Sequence, residues 1–265
     1  MKETNNLTFW EHLDELKKVL FRIAVFVVTV ACFAFLCKKY LFKIVLAPGR
    51  DDFILYRGLR FIAEKSGYSS LAPEHFHVQL INTNLPSQFL IHMNVAIYAA
   101  AVLSAPYILY QLFRFVSPAL YTKERHYAVH VVSASYLLFM IGVLLNYFLI
   151  FPLTFRFLAT YQVDSSVINI ITLSSYIDTL GFLTLMMGII FEIPILSWLF
   201  AKLGFLTSKF MTHYRRHAIV TILVIAAIIT PTSDIFTLMM VSLPMWFLYE
   251  FSIIIVRRTE KETVI

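Results

Sequence analysis

Two stretches of the chain, residues 89–113 and 127–150, contain no Asp, Glu, Lys or Arg. At about 25 and 24 residues, each is long enough for an α-helix to cross the roughly 30 Å hydrocarbon layer of a bilayer with some tilt. Backbone amides have no water to bond in lipid, so runs of this kind fold as helices that satisfy their own polar groups. Composition agrees: 59% of the residues are hydrophobic and 14% charged, against about 25% charged in soluble domains. The formal charge of +6 suits anionic lipid headgroups better than nucleic acid. No charged leader with a short apolar core opens the sequence, so the first span is expected to stay attached.

Four more apolar runs flank these two. Residues 19–37 end at Lys38 and Lys39, and a run opening near Ser175 continues to Phe200 with one interruption, Glu192. Residues 218–230 make only about 20 Å of helix, too short to cross unaided. Pro231 stops that run, Asp234 sits in a turn, and the last run, residues 235–256, is interrupted by Pro244 and Glu250. The expected fold is an all-α polytopic membrane protein with six transmembrane helices, its last two spans a short hairpin that turns below the far membrane surface and thins the bilayer there or lets water in. An even count puts both termini on one side. Most of the 22 lysines and arginines fall there, which makes the N- and C-termini cytoplasmic, although Lys38, Lys39 and Lys43 count the other way.

One domain, residues 1–265, is expected. Residues 1–18 form a cytoplasmic amphipathic helix, with Thr8 and Glu11 at capping-box spacing and Leu13, Leu16 and Leu20 on one face. Residues 38–88 form a first periplasmic loop, too long for a bare connection, folded as a cap with Leu55, Leu59 and Ile62 on one helical face and Gly67 ending it. Residues 151–175 form a second periplasmic loop opening at Pro152, apolar enough to pack on the first. Ser175 and Asp178 have capping-box spacing and start the fourth span. Cys32 and Cys37, about 140° apart around a helix, cannot bridge each other and are read as packing residues.

Charges at or in the membrane are the candidate functional groups. Glu15 lies on the leading helix and Glu124 just before the third span, two carboxylates at one membrane surface able to receive two guanidinium groups through planar, bidentate bonds that lysine does not reproduce. Each has a plainer role open to it, Glu124 opposing a helix dipole and Glu15 neutralised by Lys18. Glu192 sits roughly 12 Å inside its span. A carboxylate at that depth is protonated, paired or facing a cavity, and Pro194 bends the helix beside it. Glu250 has Arg257 and Arg258 nearby, and Thr230 offers a hydroxyl at the end of the short fifth span. The pairs His126/His130 and His213/His217 have i,i+4 spacing but no accompanying acid of a zinc protease, so no metal and no cofactor are expected. No nucleophile–base pair or phosphate loop argues for an enzyme.

Several of these residues fall in motifs that occur in order along nearly the whole chain. They are EHLDEL at residues 11–16, Pro48, LSAPYILYQLFRFVSPALYTKER at 103–125, FEIP at 191–194 and TPTSDIF at 230–236. Together they resemble the TatC family, the polytopic core of the twin-arginine protein translocase of the inner membrane. The resemblance implies a non-enzymatic receptor that binds the paired arginines of export signals at Glu15 and Glu124, with Lys17 and Phe115 in the same site. It implies that Glu192, Thr230 and Pro48 serve docking of TatA single-span partners, with or without a separate TatB. Folded cargo would then be exported under the proton gradient, with self-association possible. The family usually has Arg at the position of Lys17, and many members have Gln where this chain has Leu238. The alternative from the residues alone is a proton-coupled secondary transporter of a small solute using Glu192 and Glu250.

Overall fold

Among the described residues of the computed structural model, five helical segments are long and apolar enough to cross a bilayer: Leu13–Leu36, Ser87–Phe115, Val129–Thr160, Leu173–Lys202 and Ile235–Lys261. The structure describes residues 9–65, 76, 78–116, 128–162, 164, 169–230 and 234–263. Thr8, Gly67, residues 117–127 with Glu124 and His126, and residues 231–233 with Pro231 lie outside them.

Helix α1 (Phe9–Leu36) runs unbroken from the leading amphipathic segment through the first span. Its Phe21, Val28, Phe33 and Leu36 are exposed, as side chains facing lipid tails are. Lys38 opens α2 (Lys38–Val45), followed by a 3-10 turn at Ala47–Gly49 and by α3 (Ile54–Lys65). The second span is α4 (Ser87–Val116), which tolerates Pro106 inside it. The third is α5 (Ala128–Leu145), a π turn at Asn146–Ile150, and α6 (Phe151–Thr160).

Pro152 therefore does not open the second loop. It falls in the first turn of α6, directly after the π turn, so the carbonyls of that wide turn are where its missing N–H is absorbed, and the helix continues to Thr160. The wide turn before it is braced by buried Asn146, whose Nδ2 donates to Thr184 Oγ1 at 2.9 Å.

The fourth span is α7 (Leu173–Ile190) joined through Phe191 and Glu192 to α8 (Ile193–Lys202). Its cap is Thr172 rather than Ser175: the Thr172 hydroxyl accepts from Ser175 N, so the helix starts earlier than the Ser175–Asp178 spacing suggested. Asp178 instead accepts from Asn94 Nδ2 on α4. A short helix α9 (Ser208–His213) precedes α10 (Arg215–Ile229) and α11 (Ile235–Thr263). At 15 residues, α10 is about 22 Å long, short of the hydrocarbon thickness. Asp234 Oδ1 accepts from Thr237 N at 2.7 Å and starts α11.

The core is built from facing sides of α4, α6, α7, α10 and α11, with Val95, Phe151, Leu183, Met187, Ala226 and Val241 nearly or fully buried. Lipid is as apolar as these side chains, so close backbone approach rather than water exclusion holds the helices together. Gly142 and Gly188 provide it between α5 and α7. A methyl at Gly142 would stand 2.5 Å from the Met187 carbonyl, and one at Gly188 2.6 Å from the Phe139 ring.

The two loops form one layer over the end of the bundle. β1 (Leu80–Ile81) and β2 (Ile171–Thr172) pair in parallel, Leu80 with Ile171 and Ile81 with Thr172. Tyr56 and Ala63 of α3 are buried together with Phe53 just before it, while Leu59 and Ile62 of the face expected to be covered are exposed. The reason is polar: Tyr56 OH donates to the Pro152 carbonyl at 2.6 Å, Arg156 lies over the Tyr56 and Phe76 rings, and Arg60 binds Asp51 through both carboxylate oxygens. These bonds turn α3 the other way.

Burial holds the Tyr56 phenol above its ordinary range, with Arg156 opposing and Asp51 adding to the rise. A raised acid favours the folded state until pH passes the unfolded value near 10, and its contribution falls above that. Tyr56→Phe should lose about 1 kcal/mol and flatten the decline in thermal stability above about pH 10, measured by unfolding in detergent at stepped pH.

Candidate functional site

Glu192 occupies the break in the fourth span. The last turn of α7 tightens there, with Phe191 N donating to Met187 O at 3.1 Å and Glu192 N to Ile189 O at 3.0 Å, before Pro194 starts α8. The side chain is 8% exposed. Ser135 Oγ of α5 donates to Glu192 Oε2. Oε1 is buried with no hydrogen-bond partner among the described residues. The Gly142 and Gly188 contacts lie just beyond, so the distance between α5 and α7 that they set is also what lets Ser135 reach the carboxylate. Ser135 escaped the sequence reading; its signal was a hydroxyl in an otherwise uncharged run.

At one end of the α1–α4 pair lie Glu15, Lys17 and Phe115. The helices are antiparallel: Phe35 stacks on His92 with ring centroids 3.9 Å apart, and Phe26 meets Tyr107 at 4.3 Å. About eight residues, or some 12 Å, back from Phe26 is Lys18, and the same step beyond Tyr107 is Phe115. Glu15, Lys17 and Phe115 are thereby brought within roughly a turn of one level, where Glu15 and Lys17 are exposed and Phe115 is half-buried. Gln111, one turn before Phe115, is buried and donates to Tyr107 OH at 2.8 Å. It too was missed, and its amide in an uncharged span was the available signal. Glu124 lies outside the described residues.

Thr230 and Pro48 are both buried. Thr230 Oγ1 donates to Ala226 O at 3.0 Å, so lone pairs alone remain for another group. Pro48 is seated in the 3-10 turn that Tyr176 and Tyr147 pin, their hydroxyls donating to Val45 O at 3.0 Å and Ile44 O at 2.8 Å. Glu250 is neutralised by Arg215, whose Nη2 donates to Oε2 at 2.8 Å, rather than by Arg257 or Arg258 as its sequence neighbours suggested. The pair bridges α10 and α11 and is partly exposed, so Arg215→Gln should cost less than about 1 kcal/mol of stability, read from thermal unfolding at low and high salt.

Such a molecule is a multi-pass, all-α membrane protein with one exposed carboxylate, Glu15, at the end of a helix pair and another, Glu192, buried within a span. The sequence matches the model of the family described as Sec-independent protein translocase protein (TatC) over residues 11–244. It is 34% identical to the TatC protein of Blattabacterium sp. subsp. Periplaneta americana over 96% of each chain. It is 32% identical to the TatCy protein of Bacillus subtilis over 96% of this chain and 90% of that one. A crystal structure of the twin-arginine translocase receptor TatC superposes with a TM-score of 0.75 at 29% identity, covering 94% of this chain and 100% of that one. The chain belongs to the TatC family. It is a translocase subunit of the inner membrane, not a catalytic enzyme.

Proposed function

We propose that the chain binds twin-arginine signal peptides at its cytoplasmic face through Glu15 and Glu124, with Lys17 and Phe115 beside them, and docks TatA- and TatB-type single-span partners. In this reading α10 and α11 are the fifth and sixth spans, both termini are cytoplasmic, and the layer of two loops is periplasmic. The observation that carries it is the antiparallel register of α1 and α4, which supports a common level for Glu15, Lys17 and Phe115, with Glu124 following α4 in the sequence. An exposed carboxylate there is free to accept a guanidinium fork.

Partner docking uses Glu192, whose Oε1 is an acceptor for a polar group on an incoming helix. Thr230 contributes lone pairs, and Pro48 acts by positioning its loop. The transporter reading loses half of its relay, because Glu250 is already paired with Arg215. The test is photo-crosslinking of a twin-arginine leader to the chain in membrane vesicles. Glu124→Gln should weaken the crosslink and export together; undiminished binding in that variant would overturn the site.

A further inference from the structure

Away from α1 and α4, the C-terminal end of α11 and the short helix α9 enclose a groove of about 860 Å³. Five cationic side chains line it, Lys209, Arg215, Arg257, Arg258 and Lys261, against the single carboxylate of Glu250. That carboxylate is bonded to Arg215. The neighbouring acid, Glu260, is also engaged: Ser208 N donates to its Oε1 at 2.8 Å and the Ser208 hydroxyl to its Oε2, closing the start of α9. Tyr249 OH donates to Met211 O at 2.8 Å and fixes α9 against α11. Lys209, Arg257, Arg258 and Lys261 are exposed and form no ion pair with any described residue. One volume is thus lined by four cations that no described residue compensates.

We propose that this groove binds the phosphate of an anionic phospholipid headgroup. Position selects lipid over a free anion. Phe251 and Ile254 are half exposed along α11, and Arg257 and Arg258 follow within a turn, so the groove's apolar floor, Ile253 and Ile254, meets acyl chain where its cations meet headgroup. Arginine offers paired donors to phosphate oxygens, and basic pockets between spans are suited to anionic headgroups. The proposal uses none of the residues assigned to the signal peptide and stands or falls separately from them.

The test titrates the purified full chain in detergent with phosphatidylglycerol or phosphatidylcholine and follows retained lipid by native mass spectrometry. Phosphatidylglycerol should be retained in preference. Combined Arg257→Gln, Arg258→Gln and Lys261→Gln should lower its retention about tenfold or more, with helix content unchanged because all three side chains are exposed. Equal retention of the two lipids, or undiminished phosphatidylglycerol on the variant, overturns the proposal. So does displacement of the lipid by inorganic phosphate at equal concentration, which assigns the groove to a free anion, or by an acidic peptide, which assigns it to a protein.

Discussion

Replacing Glu15 and Glu124 together by Gln should reduce affinity for a twin-arginine leader about a hundredfold or more, and leave the fold intact. Glutamine keeps the size and one acceptor but removes the charge. A hydrogen bond to a charged group contributes about 1.5–3 kcal/mol, so losing two of them exceeds the 2.7 kcal/mol or so that a hundredfold represents. The two losses will not add if one arginine can rotate to serve whichever acid remains, so each single variant should fall between wild type and the double variant. A leader with lysines in place of its arginines should bind wild type weakly and lose little more on the double variant, since it lacks the planar fork. Fluorescence titration of labelled leaders against the chain in lipid nanodiscs reads all four combinations. Equal loss for both leaders would mean that the carboxylates supply only a general negative field.

Gly142→Ala should lower stability by about 1–3 kcal/mol, the range for forcing extra volume into a packed contact. The added methyl would meet the Met187 carbonyl at 2.5 Å and the Phe191 ring at 2.9 Å. One of these is backbone, which has no rotamer to give, so α5 and α7 must part. Parting them also withdraws Ser135 from Glu192. Ser135→Ala supplies the comparison: it removes the same bond without touching the helix spacing and should cost about 1 kcal/mol. Thermal unfolding in detergent orders the three proteins. A Gly142→Ala chain that melts with wild type would show that the two helices are not held this close.

Much of this fold could be read from the sequence because lipid makes harsh demands on composition. The long uncharged runs returned as α4 and as α5 with its extension, and the Glu192 interruption returned as the break between α7 and α8. Where the reading failed, local pattern had been asked to decide a tertiary question. Helix α3 has two faces with apolar residues, and periodicity cannot say that Tyr56 will find the Pro152 carbonyl while Leu59 and Ile62 stay outside. Pro152 looked like the start of a loop because a proline that ends one helix and a proline in the first turn of the next read alike. Glu250 was matched to arginines on its own helix, but its bond crosses to α10. The candidate site was legible as residue types and motifs. What set Lys17 opposite Phe115 was the register of aromatic pairs between two helices, which no single segment encodes.

The loop layer has a mechanical consequence. Paired strands, the Tyr56 bond to Pro152 and the Tyr147 and Tyr176 bonds to the end of α2 before Pro48 fasten the two loops to each other and to the ends of the third and fourth spans. A bundle bolted at one rim behaves like a pair of tongs with its pivot there. Small tilts about that pivot become the largest displacements at the opposite rim, the end of the bundle where α1 and α4 carry Glu15 and Phe115.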